Sequence, residues 1–215
     1  MKLAFAAAIA IILAGILASA YFYQQLPARI PTHWNAAGQV DGYMPKLWAL
    51  SLLLAISIGL LALLAAVPRA DPLKKNIRKF SAYYEGFIAL ILGFLLYIHL
   101  LTIAWALGYT YNIIPAISLA FAILWFYIGI LLGKTKRNWF IGIRTPWTLS
   151  SDKVWDIVHK RGAKLFKASG ILALAGVFAG VHGIWFIIIP VLASAVYLSV
   201  WSYFVYRGQR RGKSK

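Results

Sequence analysis

The chain has 215 residues, 62% of them hydrophobic and only 13% charged, with a formal net charge of +17. A soluble domain is about half apolar and about a quarter charged, so this composition excludes an ordinary water-soluble fold and points to an integral membrane protein. There is no cysteine, which excludes disulfides, thiolate metal sites and cysteine nucleophiles.

The first apolar segment runs over about residues 3–23. Its basic start and Ala18-Ser19-Ala20 resemble a signal-peptidase site, but the run continues through Tyr21-Phe22-Tyr23 as an interfacial aromatic belt. Retention as a helix is therefore expected. Further apolar segments follow at about 47–67, 81–107 and 113–133. Residues 168–206 form one run of nearly forty, too long for one span. A break at His182-Gly183 divides it into spans of about 166–181 and 184–206. The expected fold class is an all-α membrane protein, a six-helix bundle. Four stretches organise it: 1–67 with two helices, 68–133 with helices three and four, 134–167 as an inner loop, and 168–215 with helices five and six and a basic tail.

Loop charge tests this topology. With the N-terminus inside, twenty of the 22 Lys and Arg fall in inner segments and only Arg29 and Lys46 fall outside. Positive charge is retained on the cytoplasmic side during insertion, so both termini are expected there. The same clustering assigns the basic charge to topology and not to direct nucleic-acid binding.

Two polar segments are more specific than connectors need to be. In 24–46, Pro27, Pro31 and Pro45 forbid a continuous helix, and Asn35 to Gly38 and Asp41-Gly42 read as turns. A folded outer cap carrying His33, Trp34, Asn35, Asp41 and Tyr43 is expected. Those groups suit a peptide or an amphiphile at the membrane surface, and they equally suit burial in headgroups. In 134–167, Pro146 marks a structured turn, Ser150 or Ser151 is a candidate N-cap, and Asp152 suits the start of the following helix. Val154, Trp155, Val158, Leu165 and Phe166 fall near one stripe of that helix, with basic residues elsewhere. An amphipathic basic helix of this kind lies along the cytoplasmic membrane surface or docks a partner. Gly162 is expected to weaken or bend it.

Within the spans the ionisable residues are few. Glu85 lies near the start of the third span, within reach of Arg78 or Lys79, and His99 lies deeper. His33, Asp41, His99 and His182 share the outer half and can be imagined as a polar pocket or, less readily, a metal site. No catalytic motif stands out, no cofactor is implied, and a non-enzymatic protein is expected. Gly129/Gly133 and Gly176/Gly180 have the small-residue spacing of close helix contacts.

The stretch "LPARIPTHWNAAGQVDGYMPK" resembles an N-terminal signature of a prokaryotic membrane family, Pro-x-x-Ile-Pro-x-His-Trp-Asn-x-x-Gly-x-x-Asp. The stretch "RNWFIGIRTPWTLSSDKVWDIVHKRGAKLF" resembles the loop of the SdpI family, immunity proteins for the sporulation-delaying-protein toxin. The matching positions are Asn138, Gly142, Ile143, Arg144, Thr145, Pro146, Trp147, Thr148, Trp155 and His159. The resemblance implies six spans in a prokaryotic plasma membrane and protection from a secreted antimicrobial peptide. It also implies a cytoplasmic transcriptional repressor held at the membrane. In that reading His33, Trp34, Asn35, Asp41 and Tyr43 meet the toxin, and the residues from Asn138 to His159 relay the signal or hold the partner. Membrane lipids and a second copy of the chain are further candidate partners. The competing expectations are a small-solute or lipid transporter and a membrane enzyme with an outer metal site at His33, Asp41 and His182.

Overall fold

A computed structural model describes residues 2–212, with side chains for residues 5–210; the end of the expected basic tail lies outside the described residues. The order is α1 Lys2–Phe22, β1 Arg29–Trp34, β2 Val40–Pro45, α2 Lys46–Ala70, α3 Lys74–Arg78, α4 Ser81–Ala106, α5 Ile113–Leu132, α6 Pro146–Leu149, α7 Asp152–Ala175 and α8 Gly183–Gly212. Two 3₁₀ turns, Gly176–Phe178 and Gly180–His182, join α7 to α8.

The chain is mostly helical, as a membrane protein requires. In hydrocarbon a backbone must satisfy its own hydrogen bonds, and a helix does so within one segment. Five stretches are long and apolar enough to cross a bilayer: Phe5–Phe22, Lys46–Ala70, Ser81–Ala106, Ile113–Leu132 and Gly180–Arg210. The exception to an all-α fold is a two-stranded antiparallel hairpin, β1 with β2, in the segment expected to be a folded cap.

The second departure is α7. Sequence reasoning separates an amphipathic surface helix from a fifth span beginning near residue 166. One unbroken helix runs instead from Asp152 to Ala175, and its charged first half keeps it out of the apolar set. Gly162 does not break it. That glycine is buried where an added Cβ would sit 2.8 Å from Ile143 and 3.4 Å from Leu198, so its small size serves packing. The break at Gly183, where α8 begins, falls where the sequence suggests.

Helix α7 runs antiparallel to α5 along a seam of glycines. A Cβ added at Gly129 would lie 2.8 Å from the Ala163 carbonyl oxygen, and one at Gly170 would lie 2.7 Å from that of Ala122. Gly133 extends the seam against Ala163, and Gly176 faces Ser118 and Gly183. Gly180 takes no part: a Cβ added there would meet nothing within 4 Å, and its φ of +56° serves the turn. Lipid tails are as apolar as leucine, so close backbone approach and dispersion carry such a contact.

Helices α1, α2 and α4 form the other half of the bundle. Ala8, Ile12, Leu61, Tyr84, Ile88 and Leu92 are buried together there. His99 of α4 does not join the other histidines in an outer pocket. It is buried, with Nε2 2.7 Å from the Ser19 hydroxyl of α1. That hydroxyl donates to the Gly15 carbonyl at 2.9 Å, so His99 is the donor to Ser19. A polar group in an apolar span needs a partner, and α1 supplies it. At one end of the bundle the segment between α2 and α4 meets the loop after α5, where Asn76 donates to the Arg137 carbonyl at 2.8 Å; Arg69, Lys74, Lys75, Arg78, Lys79, Lys134, Lys136 and Arg137 make this the basic end.

The glycine seam predicts that Gly170→Leu lowers stability by about 3 kcal/mol, the upper range for overpacking against backbone. Gly59, where an added Cβ would meet nothing within 4 Å, is the control: Gly59→Leu should leave the unfolding midpoint in mild detergent almost unmoved. Equal midpoints for the two variants would refute the seam.

Candidate functional site

The two polar segments fold at opposite ends of the bundle. At the hairpin end, β1 and β2 pair from Arg29↔Pro45 to Trp34↔Val40, with register shifts around His33. The loop closes through the Asn35 amide, which donates to the Gln39 carbonyl at 2.8 Å, and the Gly38 amide, which donates to the Asn35 carbonyl at 2.9 Å. The Asn35 side-chain oxygen accepts from the amides of Ala37 and Gln39. Asn35 is thus a turn organiser. Gly38 has φ +78°, and a Cβ there would strike Asn112, whose side chain caps α5 by accepting from the Ile114 amide. Glycine is required on both counts.

Buried Leu26 and Ile30 seat the hairpin on Ala49, Leu50 and Ile103 of α2 and α4, with Ala18 and Phe22 of α1 alongside. Lys46 closes the base: its ammonium donates to the Tyr23 and Leu26 carbonyls at 2.7 and 3.0 Å and lies over the Tyr23 ring. The predicted outer residues divide by role. His33 Nδ1 donates to Asp41 at 2.5 Å across the hairpin, and both side chains are exposed. Tyr43 is exposed and edge-on to Trp105, with ring centroids 6.4 Å apart. Trp34 is half-buried, and its indole N–H reaches no acceptor among the described residues. His182 is not gathered with His33 and Asp41: among the described residues no three His, Asp or Glu side chains approach as a metal would need.

The basic end is more highly ordered. Thr145 caps α6 in a capping box with Thr148, and Pro146 takes the first helical position. The Thr145 hydroxyl lies 3.0 Å from Ser202 of α8. Trp147 packs edge-on against Tyr203, and Ser151 caps α7 by accepting from the Val154 amide. The apolar stripe of α7 does not lie in lipid: Val154, Trp155 and Val158 are fully buried, with Val154 and Val158 against Leu198 of α8. Burial against the protein removes the same apolar area from water that headgroups would have covered, and it adds close packing.

His159 and Trp155 form the centre. Their rings stack at 3.9 Å with an interplanar angle of 14°. Trp155 Nε1 donates to the Thr135 carbonyl at 3.3 Å. His159 Nδ1 donates to the Trp155 carbonyl, and Nε2 accepts from the Ile143 amide, each at 2.9 Å. Both nitrogens are used, one as donor and one as acceptor, so this tautomer is neutral. Gly142, with φ +117°, is forced by the same contact, because any Cβ would run into His159 Nε2. Asn138, fully buried, donates to the Lys136 and Ile141 carbonyls and accepts from the Phe140 and Ile141 amides. It holds the loop shape from inside. Arg144 is exposed, with Nη1 donating to the Trp139 carbonyl at 2.9 Å.

Sequence reasoning missed Asp71 and Asn76. Asp71 is almost fully buried; its carboxylate accepts from the Leu73 and Trp139 amides at 2.6 and 2.8 Å. Asn76 Nδ2 donates to the Arg137 carbonyl at 2.8 Å. Together they tie the segment before α4 to the 134–149 loop. The available signal was Asp71 itself, the one acidic residue among five basic ones in 68–80. Also missed were Trp139 and Phe140, adjacent and exposed on this loop.

The comparisons with known proteins bear on this arrangement. The chain is 30% identical over 202 residues to "Immunity protein SdpI" of Bacillus subtilis (strain 168), covering 93% of this chain and 94% of that protein. The chain belongs to the SdpI family. The SdpI/YfhL protein family model matches residues 134–202, from the ordered loop through α7 into α8. A domain of unknown function (DUF1648) matches residues 10–58, which bracket the hairpin. No solved structure matches. For this SdpI family member, the family match and the most tightly hydrogen-bonded polar segment coincide.

Burial lowers the His159 pKa from 6.5 to about 4, against the smaller opposing effects of the Trp155 carbonyl and Asp156. The folded form thus takes a proton less readily than the unfolded segment does. Full stability of the loop is expected above pH 6.5, with progressive loss as pH falls towards 4. The protection factor of the Ile143 amide, its exchange rate corrected for the intrinsic pH dependence, should be highest at neutral pH and fall by up to about tenfold per pH unit over that window. In His159→Gln the steep dependence should disappear; a profile identical to wild type would exclude His159 as its source.

Proposed function

We propose that this chain is a multi-pass immunity protein of a prokaryotic plasma membrane, protecting the cell from a secreted antimicrobial peptide. The observation that carries the reading is the similarity to an immunity protein along nearly the whole chain, with both polar segments built as folded surfaces and not as tethers. In this reading α7 from about Ala163 onward is a sixth span, since it follows α5 along the glycine seam. Both termini are then cytoplasmic, consistent with the twenty-to-two distribution of basic residues.

The hairpin faces the outside and meets the toxin. His33 and Asp41 form an exposed hydrogen-bonded pair, Tyr43 offers an aromatic face, and half-buried Trp34 follows His33 on the same strand. Lys46 and the Gly38–Asn112 contact couple this surface to α1, α2 and α5. At the cytoplasmic end, Arg144, Trp139 and Phe140 present a basic aromatic surface on a scaffold held by Asn138, Thr145, Pro146, Trp147, Trp155 and His159. That surface holds a cytoplasmic repressor when the toxin is bound. The exposed groups make the contact and the buried ones hold its shape.

Expression in a strain sensitive to the sporulation-delaying-protein toxin tests the reading. Wild type should raise survival, and His33→Ala/Trp34→Ala should lose about tenfold or more of that protection at unchanged protein level. Protection retained by the double variant would remove the hairpin from the toxin contact; no protection by wild type against this or related secreted peptides would overturn the immunity function.

A further inference from the structure

A crevice of about 680 Å³ opens between α1, α2 and α4 at the basic end. Its volume lies within the roughly 300–1,000 Å³ span of small-molecule sites. Phe5, Ile9, Leu64 and Ile88 supply apolar wall, and Arg69 and Arg78 lie at its rim. Glu85 shares the wall and has its own partner. Two guanidiniums against one carboxylate leave the rim net positive.

The backbone explains why the crevice persists. Pro68 lies inside α2 and has no N–H to give the Leu64 carbonyl four residues earlier. The Tyr84 hydroxyl of α4 donates to that carbonyl instead, at 2.9 Å. The freed acceptor is thus satisfied from the neighbouring helix, and α2 continues past the proline to carry Arg69 to the rim. Arg69 spends one N–H on the Ala65 carbonyl at 2.8 Å; its other donors remain.

We propose that this crevice holds one acyl chain of an anionic membrane phospholipid, with the headgroup phosphate at Arg69 and Arg78. Apolar walls running up from a rim with two guanidiniums match the two ends of such a lipid, in order and in charge. Phe5 and Ile9 are themselves exposed on the lipid-facing side of α1, so a chain enters sideways from the bilayer without crossing water. The guanidinium fork suits phosphate oxygens, and anionic lipids concentrate beside basic segments at the membrane surface. The inference is independent of the toxin reading.

Vesicles of phosphatidylcholine, with and without phosphatidylglycerol, provide the test. Protein extracted from the mixed vesicles into mild detergent and weighed by native mass spectrometry should retain one phosphatidylglycerol per chain. Its preference over phosphatidylcholine should be about tenfold, roughly the worth of one charge-assisted contact. Arg69→Gln/Arg78→Gln should abolish the preference, and Ala65→Phe, which intrudes on the crevice wall, should abolish retention. A wild type that keeps both lipids equally, or variants that keep phosphatidylglycerol unchanged, would overturn the site. Should either variant misfold, wild type with a diazirine-tailed phosphatidylglycerol decides alone. Labelling on Leu64 or Ile88 supports the crevice, whereas labelling confined to outward positions such as Leu52 and Leu63 removes it.

Discussion

The seam between α5 and α7 is the contact on which the basic end of the molecule depends. Without large side chains at Gly129, Gly133 and Gly170, the two backbones approach to van der Waals distance. A bilayer offers no hydrophobic drive for helices to associate, so shape at close range must supply it. The seam also fixes the rotation of α7. One face of its apolar half is set against α5, and because the helix is unbroken its polar half inherits that rotation. Trp155 and His159 are thereby turned under the 138–148 loop, and Val154 and Val158 face α8.

From that placement the loop follows by hydrogen-bond accounting. A buried loop is costly unless each backbone group is matched. Asn138 serves four backbone groups, His159 serves two, and Asp71 and Asn76 reach across from the segment before α4. The chemistry of these positions is therefore about shape. The neutral tautomer of His159 exists because both ring nitrogens are spent on backbone, one giving and one receiving. What is left over for contact is on the outside of the same loop, at Trp139, Phe140 and Arg144.

The hairpin obeys the same logic at the other end with fewer partners. Ile30 and Leu26 bury it, Lys46 ties it to carbonyls at the end of α1, and Gly38 fits it against Asn112. His33, Asp41 and Tyr43 are left exposed. A cap that only sealed the helix ends would have no need of an exposed histidine–aspartate hydrogen bond beside an exposed aromatic.

Composition and charge by themselves determined that the chain is a membrane protein, where five of its apolar segments lie and where α8 begins. These depend on local hydropathy and on glycine, which act over a few residues. The loop residues Asn138, Gly142, Thr145, Pro146, Trp155 and His159 were legible as one motif, as were the prolines and turns of the cap. Only tertiary structure decided that the cap is a β hairpin, because strand pairing joins residues that local propensity treats separately. Only tertiary structure turned the amphipathic stripe of α7 inward: hydropathy marks a face to be buried but cannot say whether lipid or protein buries it. The pairing of His99 with Ser19, and of Asp71 with the Trp139 amide, lay equally out of reach, since each joins groups dozens of residues apart whose meeting depends on how the helices are rotated.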